Sequence, residues 1–239
     1  MFLSRRTSFS IIIFLALLMS FPGFVMADSK SNYTLIIDRK VRTFYVLNDK
    51  NKIIRQFPCG IGKGGLKKKK NMSDMITPMG DFVVDIILYK DKQYANIADS
   101  AQKRFGSGEY KDFVKDKEGL SKLFENMNSI DFDKNGIPDS AYGIAYIGLD
   151  SKNAVTGPKM HTYNDIPYWY SIAVHGTNDP LNIGQARSGG CIHLNEEDLV
   201  WLIENKIVTI GSNLEIRDQG PKETYGKKEK GVIAWRDYH

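Results

Sequence analysis

The chain has 239 residues, of which 42% are hydrophobic and 26% are charged, with a formal net charge of +5. This length suits one domain with a sizeable core and an insertion, or two small domains. The net charge is too low to indicate a nucleic-acid partner. Nothing in the chain repeats at a fixed period, which excludes solenoid and propeller architectures.

The first 27 residues have the pattern of a cleaved secretory signal. Two arginines at positions 5 and 6 precede an apolar run over 11–19, and the short residues at 25–27 suit a signal peptidase. Ser20 and Pro22 interrupt the run before it reaches the roughly 20 apolar residues that span a bilayer. We therefore predict an exported protein of the periplasm or cell envelope with no stable membrane span after cleavage. Cleavage lowers the formal charge from +5 to +3, because it removes two basic residues and no acidic one.

Short β-branched and aromatic stretches between turn residues predict a chain dominated by strands. The predicted strands cover 33–37, 43–47, 53–57, 81–89, 142–149, 171–175, 191–194, 208–210 and 214–216. Four glycines at 60–65 are followed by four lysines at 67–70, but the Gly-Lys-Ser/Thr ending of a phosphate loop is missing. We predict a solvated loop there.

Two segments have helical periodicity. Between residues 90 and 141 we predict a largely helical insertion, and a second helix follows Asn195, which is a suitable N-cap. The predicted buried stripes are Leu120, Leu123, Phe124 and Met127 in the insertion, and Leu199, Leu202 and Ile203 in the second helix. Residues 219–239 are charged and turn-rich, which is typical of a tail that wraps the surface or stays mobile.

The insertion ends in a segment that resembles part of a calcium-binding loop. Oxygen-bearing side chains occupy positions 1, 3, 5 and 9, with Gly136 at position 6. These side chains are Asp131, Asp133, Asn135 and Asp139. Position 12 is Tyr142 rather than the usual bidentate Glu, and the same residue types also occur in any tight turn. A structural Ca²⁺ site and an ordinary turn both stay open.

The chain has two cysteines, Cys59 and Cys191. In an oxidising compartment two cysteines usually pair, so a disulfide is one interpretation. However, Cys191 follows Gly189 and Gly190 and lies sixteen residues after His175, whereas Cys59 has no His or acid nearby. We favour a free, reactive Cys191 and a passive Cys59.

The residues around Cys191 are those of nucleophilic catalysis. A thiol needs a neighbour that removes its proton, and imidazole suits this task at neutral pH. His175 ends an apolar strand and is the leading candidate, with His161 as an alternative base and His193 bordering the same pocket. The two glycines before Cys191 let the backbone approach a substrate and direct N–H groups at one oxygen. A zinc site is disfavoured, because one Cys and scattered histidines lack the spacing of a zinc motif.

Two motifs resemble the L,D-transpeptidase catalytic domain (YkuD type) of bacterial peptidoglycan synthesis. They are Val174-His175-Gly176-Thr177-Asn178 and Ser188-Gly189-Gly190-Cys191-Ile192-His193-Leu194, supported by the turn Thr77-Pro78-Met79-Gly80. The resemblance covers most of 33–89 and 142–216. It implies a mainly β fold with helices (α+β), a β-sandwich or barrel-like catalytic domain over 28–218 with the insertion at 90–141.

The resemblance also implies a reaction. Cys191 would attack the carbonyl between an L-diamino acid and the terminal D-Ala of a stem peptide, with His175 as base and the Gly176 carbonyl orienting its ring. The N–H groups of Gly190 and Cys191 would hold the oxyanion, with no cofactor required. The acyl group would pass to an amine, giving a 3→3 crosslink or attaching a protein. With water as acceptor, the enzyme would be an L,D-carboxypeptidase or would release a wall-attached protein.

Substrate contacts are expected from His193, Ser188 and Gly189, which border the nucleophile, and from Tyr168 and Trp169. Many relatives have His where this chain has Gly189, and most have Arg where it has His193. A permanently charged guanidinium and an imidazole bind a carboxylate differently, so these departures bear on substrate choice. A competing hypothesis is a non-catalytic wall-binding module in which Tyr168, Trp169 and Tyr170 form a stacking surface.

Overall fold

The computed structural model describes residues 32–151 and 159–222. The predicted signal over 1–27 and most of the predicted tail lie outside these ranges. Within them no helix is long and apolar enough to cross a membrane. The strands are β1 Thr34–Asp38, β2 Thr43–Leu47, β3 Ile53–Pro58, β4 Ile61–Gly62, β5 Gly80–Tyr89, β6 Asn96–Ile97, β7 Ala145–Ser151, β8 Met160–Tyr163, β9 Ile166–Trp169, β10 Ile172–His175, β11 Ala186–Ser188, β12 Ile192–His193 and β13 Asn213–Arg217. The α-helices are α1 Asp99–Phe105, α2 Lys111–Val114, α3 Lys117–Asn128 and α4 Glu196–Glu204.

Nine of these strands form one mixed sheet. Its order is β12-β10-β7-β5-β13-β1-β2-β3, with β6 paired to β5, and β1–β13 and β10–β12 are its parallel pairs. The two ends of the sheet meet where Gly60, just after β3, pairs with His193 of β12. The Gly60 N–H donates to the His193 carbonyl at 2.9 Å, and the His193 N–H donates back at 3.0 Å. The sheet therefore curls until its edges touch, and the predicted mainly β fold with helices is confirmed.

Each face of the curled sheet covers a separate hydrophobic core. Side chains alternate between faces along a strand, so neighbouring residues of one strand enter different cores. On β10, Val174 packs in the first core with α4, whereas Ala173 packs in the second core with α1 and α3. The insertion thus seals the outer face of the sheet.

The first core contains Leu35, Val46, Phe57, Val84, Leu149, Val174, Ile192 and Leu199 among others. The second contains Leu88, Leu123, Met127, Tyr146 and Trp169 among others.

The predicted helical stripes are confirmed. All four apolar residues of the α3 stripe and all three of the α4 stripe are buried. Asn195 is the N-cap of α4, as predicted, although its side chain accepts no capping hydrogen bond. The α4 N-terminus instead has three acidic residues in its first turn, which complement the helix dipole.

One predicted strand is absent. Residues 208–210 form the turn between α4 and β13, although Ile207 and Val208 are buried in the first core. The Val208 N–H donates to the Leu202 carbonyl at 3.0 Å, which closes the end of the helix. A short apolar run can be buried without a strand partner, so hydrophobicity alone was not enough to assign these residues to a strand.

Candidate active site

The parallel pair β10–β12 positions the candidate nucleophile and base. Val174 pairs with Ile192, and His175 pairs with His193. Ile192 and Val174 point into the first core, so the alternating side chains of His175 and His193 lie on the opposite face. Cys191 precedes Ile192 and packs against the second core, on that same face. The alternation of two adjacent strands thus brings the predicted residues together.

Cys191 is a partly buried, free thiol. Neither cysteine forms a disulfide, which confirms the predicted free Cys191 and a buried, unpaired Cys59. The Cys191 Sγ contacts the Ser171 carbonyl at 3.7 Å, the geometry of a weak S–H donor. Burial raises the pKa of the Cys191 thiol to about 11, although a hydrogen bond from the Ala173 backbone and the charge of Lys69 lower it. Cys191 is therefore a neutral thiol at neutral pH in the free protein.

His175 is 5% exposed, and its ring is held by neighbouring aromatic rings and by a hydrogen bond at one nitrogen. Its Nδ1 lies 2.6 Å from the Gly176 carbonyl oxygen, which can only accept, so Nδ1 carries the hydrogen and Nε2 stays free as an acceptor. Burial first, and repulsion from His193 when that ring is protonated second, hold the pKa of His175 well below its usual range, against the opposing effect of the Gly176 carbonyl. The imidazole is thus neutral and able to take a proton through Nε2.

Two tyrosines that were not predicted as site residues, Tyr142 and Tyr146, pack against His175. The Tyr146 ring stacks on His175 with centroids 6.0 Å apart and planes at 15°, and Tyr142 lies 5.0 Å from the same imidazole. The Tyr146 hydroxyl donates to the Ser171 carbonyl at 3.2 Å, the acceptor that Cys191 also uses. Burial first, and a negative charge on Cys191 second, raise the pKa of both tyrosines. Both rings therefore lie close to the thiol and the imidazole.

The Ser188–Cys191 turn only partly matches the predicted oxyanion hole. The Gly190 N–H donates to the Ser188 hydroxyl at 3.1 Å, and that hydroxyl donates to the Cys191 carbonyl at 2.5 Å. The Cys191 N–H has no partner among the described residues. In this conformation Cys191 thus offers a free donor and Gly190 does not. Ser188 is 3% exposed and braces the turn instead of facing a substrate, while Gly189 is exposed with open space around it.

The solvated loop predicted after β3 is only partly confirmed, because Lys67, Lys68 and Lys70 are exposed but other parts of the segment form the wall behind this turn. Gly62 is buried, and a Cβ there would lie 2.2 Å from the Met75 carbonyl oxygen. Thr77 accepts from the Gly62 N–H and donates to the Gly190 carbonyl, both at 2.8 Å. Lys69 is also buried. The glycines permit close approach of two backbones, which composition alone does not distinguish from an exposed loop.

His193 lies 4.6 Å from His175 between ring centroids, so the predicted proximity of the two histidines is observed. Its Nδ1 is buried without a hydrogen-bond partner among the described residues. Burial lowers the pKa of His193 to about 4, with Asp179 opposing the shift. At neutral pH the ring is uncharged, so it cannot act as the permanent cation that an arginine would supply.

The aromatic surface expected for substrate stacking is largely internal. Trp169 is 0% exposed and packs edge-on against Phe105, so its predicted contact with substrate is wrong. Tyr168 is 7% exposed, and only Tyr170 is partly open. The apolar run fills the second core under the β8–β9 hairpin. His161, the alternative base, is exposed on this hairpin and stacks on Tyr168.

The calcium-like loop lies at the end of the insertion. One carboxylate oxygen from each of Asp131, Asp133 and Asp139 can be chosen so that all three lie within 4.8 Å of one another. The loop's own N–H groups also use these oxygens, since Gly136 N–H donates to Asp131 Oδ2 at 2.7 Å, while Asn135 Nδ2 donates to Asp133 Oδ2 at 3.0 Å. Both a turn and a cation site have these contacts.

The neutral state of His193 predicts a pH effect on stability. Its folded pKa is about 4 and its ordinary value is 6.5, so between these values the unfolded chain binds a proton that the folded chain does not. The free energy of unfolding should fall as the pH drops through this range, by at most about 1.4 kcal/mol per pH unit. His193→Gln removes this contribution.

Urea unfolding of wild type and His193→Gln across this pH range measures the difference, with the exposed His161→Gln as the matched control. The wild-type and His161→Gln values should decrease relative to those of His193→Gln. Parallel curves for all three proteins would contradict a neutral His193.

Comparison with known proteins identifies the family. The YkuD family model, described as the L,D-transpeptidase catalytic domain, matches residues 32–216. The "Probable L,D-transpeptidase ErfK/SrfK" of Escherichia coli (strain K12) is 37% identical over 67 residues, which is 28% of this chain and 20% of that protein.

Solved structures with a similar arrangement include Bdellovibrio bacteriovorus Bd1075, with 17% identity and a TM-score of 0.42 over 81% of this chain and 50% of that chain. Mycobacterium tuberculosis L,D-transpeptidase 3, solved with a faropenem-derived adduct, has 16% identity and a TM-score of 0.41 over 78% and 60% of the two chains. The chain thus spans about a fifth of the curated relative and half to three fifths of these structures. Because the family model covers most of its length, the chain belongs to the L,D-transpeptidase catalytic domain family.

Proposed function

We propose that this protein is an exported cysteine acyltransferase that acts on peptidoglycan stem peptides. The observation that carries the proposal is that His175 at the end of β10 and Cys191 just before β12 lie on the same face of these adjacent parallel strands. The His175 ring is held by the Gly176 carbonyl in the tautomer that leaves Nε2 free to accept. Membership of the L,D-transpeptidase family supports the same chemistry.

In the first half-reaction His175 Nε2 takes the proton from the Cys191 thiol. The sulfur forms a bond to the carbonyl carbon between the L-diamino acid and D-Ala, while the carbonyl π electrons move to the oxygen. The Cys191 N–H, which is unpartnered among the described residues, stabilises this oxyanion. The carbon–nitrogen bond then breaks, His175 returns the proton to the departing D-Ala amine, and a thioester remains on Cys191.

In the second half-reaction an amine attacks the thioester and gives its proton to His175. The carbon–sulfur bond breaks and the thiol is regenerated. A side-chain amine of a second stem gives a 3→3 crosslink, and an amine on a protein attaches that protein to the wall. If water attacks instead, the product is a free tripeptide or a released protein.

Export to the periplasm or cell envelope is part of the proposal. It rests on the signal-like pattern over 1–27 and on the wall substrate of the proposed reaction. The resting thiol, free in the structure, is compatible with such a compartment because its only possible intramolecular partner, Cys59, is buried elsewhere in the core.

The reaction predicts specific products from purified protein and tetrapeptide muropeptides. Wild type should convert tetrapeptides into crosslinked dimers with release of D-Ala, as resolved by mass spectrometry. Cys191→Ala should lose at least about a thousandfold of the rate, because the nucleophile is absent. Cys59→Ala, the matched substitution of the buried cysteine, should retain activity if it folds.

If tripeptides form without dimers, the reaction is hydrolysis through the same nucleophile and not acyl transfer to an amine. Turnover by Cys191→Ala at the wild-type rate would contradict the proposed mechanism altogether. Peptidoglycan binding by wild type without any turnover would favour the non-catalytic module.

A structural Ca²⁺ at Asp131, Asp133, Asn135 and Asp139 also stays a prediction. Ca²⁺ bound to the folded state would raise the melting temperature, because a ligand of the native state stabilises it by mass action. Adding a chelator should then lower the melting temperature of wild type but not of Asp131→Ala/Asp133→Ala. The measurement is differential scanning calorimetry with and without Ca²⁺. An unchanged wild-type melting curve would contradict a Ca²⁺ site and identify the segment as an ordinary turn.

A further inference from the structure

Lys69 differs from the other lysines in its run. Lys67, Lys68 and Lys70 are exposed, whereas the Lys69 side chain is 3% exposed. Its Nζ donates to Asp74 Oδ1 at 2.8 Å and to the Ile76 carbonyl at 2.9 Å. A buried ammonium is costly unless it is paired and hydrogen-bonded, and these two contacts satisfy that requirement. The fold therefore holds a cation inside the protein at this point.

The ammonium lies against the residue that precedes the nucleophile. A Cβ built on Gly190 would lie 3.6 Å from Lys69 Nζ and 3.2 Å from the Ile76 carbonyl oxygen. Gly190 has a φ of +129°, a backbone conformation that favours glycine. Because glycine has no Cβ, the chain around Lys69 and Ile76 can pack closely against it. The Thr77 hydroxyl fixes the Gly190 carbonyl at 2.8 Å. Lys69, Ile76 and Thr77 thus form the wall behind the Gly190–Cys191 peptide.

Asp74, the ion-pair partner of Lys69, is also held by other hydrogen bonds. Asp74 also accepts from the backbone N–H groups of Lys70, Asn71 and Ile76, at 2.6, 3.2 and 3.0 Å. Burial alone would raise the pKa of Asp74, but these hydrogen bonds, led by that from Lys69, hold it well below its usual range. The three backbone N–H dipoles partly offset the negative charge of the Asp74 carboxylate. That carboxylate therefore does not fully cancel the positive field of Lys69 at Gly190.

We propose that Lys69 is a positioning residue whose buried positive charge stabilises negative charge at the Gly190–Cys191 turn. It would favour the Cys191 thiolate first and the oxyanion of the tetrahedral intermediate second. The second role rests on the proposed function. No bond to Lys69 forms or breaks, since the proton still moves between Cys191 Sγ and His175 Nε2. The charge of Lys69 is also among the causes that lower the pKa of Cys191 against the larger effect of burial.

The rate of Cys191 alkylation by iodoacetamide, measured against pH, tests the first role without any peptidoglycan. The tryptic peptide that contains Cys191 is followed by mass spectrometry, which separates it from the fully buried Cys59. Lys69→Met should move the midpoint of the profile upward by roughly half to one pH unit. Below the midpoint its alkylation should be about two- to threefold slower, because a higher thiolate nucleophilicity offsets part of the lost thiolate.

Lys69→Arg keeps the charge and should keep the wild-type midpoint, and Lys68→Met is the matched control at an exposed neighbour. Asp74→Asn removes the compensating carboxylate and should move the midpoint downward. This opposite shift gives a test that does not require Lys69→Met to fold.

A Lys69→Met midpoint equal to that of wild type would overturn the proposal, even if the variant melts earlier, because Lys69 would then only support the fold. An Asp74→Asn midpoint at or above the wild-type value would overturn it as well. Shifted midpoints together with failed muropeptide turnover would contradict the proposed function and leave the role of Lys69 at the thiol intact.

Discussion

The site depends on the alternation of side chains along the parallel pair β10–β12. Val174 and Ile192 enter the first core, so the neighbouring His175 and His193 must lie on the other face. The bridge between Gly60 and His193 then fixes the outer edge of this pair to the far end of the sheet. A shift of one residue would turn His175 and His193 into the first core and its aliphatic residues out of that core, so the packing of the first core specifies which face carries the histidines.

The electrostatics of the free protein keep the proton on sulfur. Burial raises the pKa of Cys191 to about 11 and holds that of His175 well below its usual range, so both shifts disfavour a thiolate–imidazolium pair. In the proposed reaction the thiolate–imidazolium pair would therefore form only when a substrate is present and the negative charge passes to its carbonyl oxygen. The Cys191 N–H, unpartnered among the described residues, would be available at that stage, and the charge of Lys69 would act in the same direction.

Local pattern was enough to predict most strands and the α3 and α4 stripes, and it selected His175 and Cys191, which lie on one face of adjacent strands. These features depend on period and on residues close in sequence. Lys69 and Thr77 were missed because their roles depend on packing against Gly190, more than one hundred residues away. Trp169 was assigned to a surface because composition cannot say whether an aromatic run faces solvent or the insertion that covers it. The strand predicted at 208–210 is absent for a related reason, because an apolar segment can be buried without a strand partner.

In the proposed reaction Cys191 carries the acyl group. Acid quenching of wild type during turnover of a tetrapeptide, followed by peptide mapping, tests it directly. The expected result is a mass increase on the Cys191 peptide that equals the donor without D-Ala and that hydroxylamine removes, as expected of a thioester. Release of D-Ala with no adduct on Cys191, or with the adduct on another residue, would contradict it.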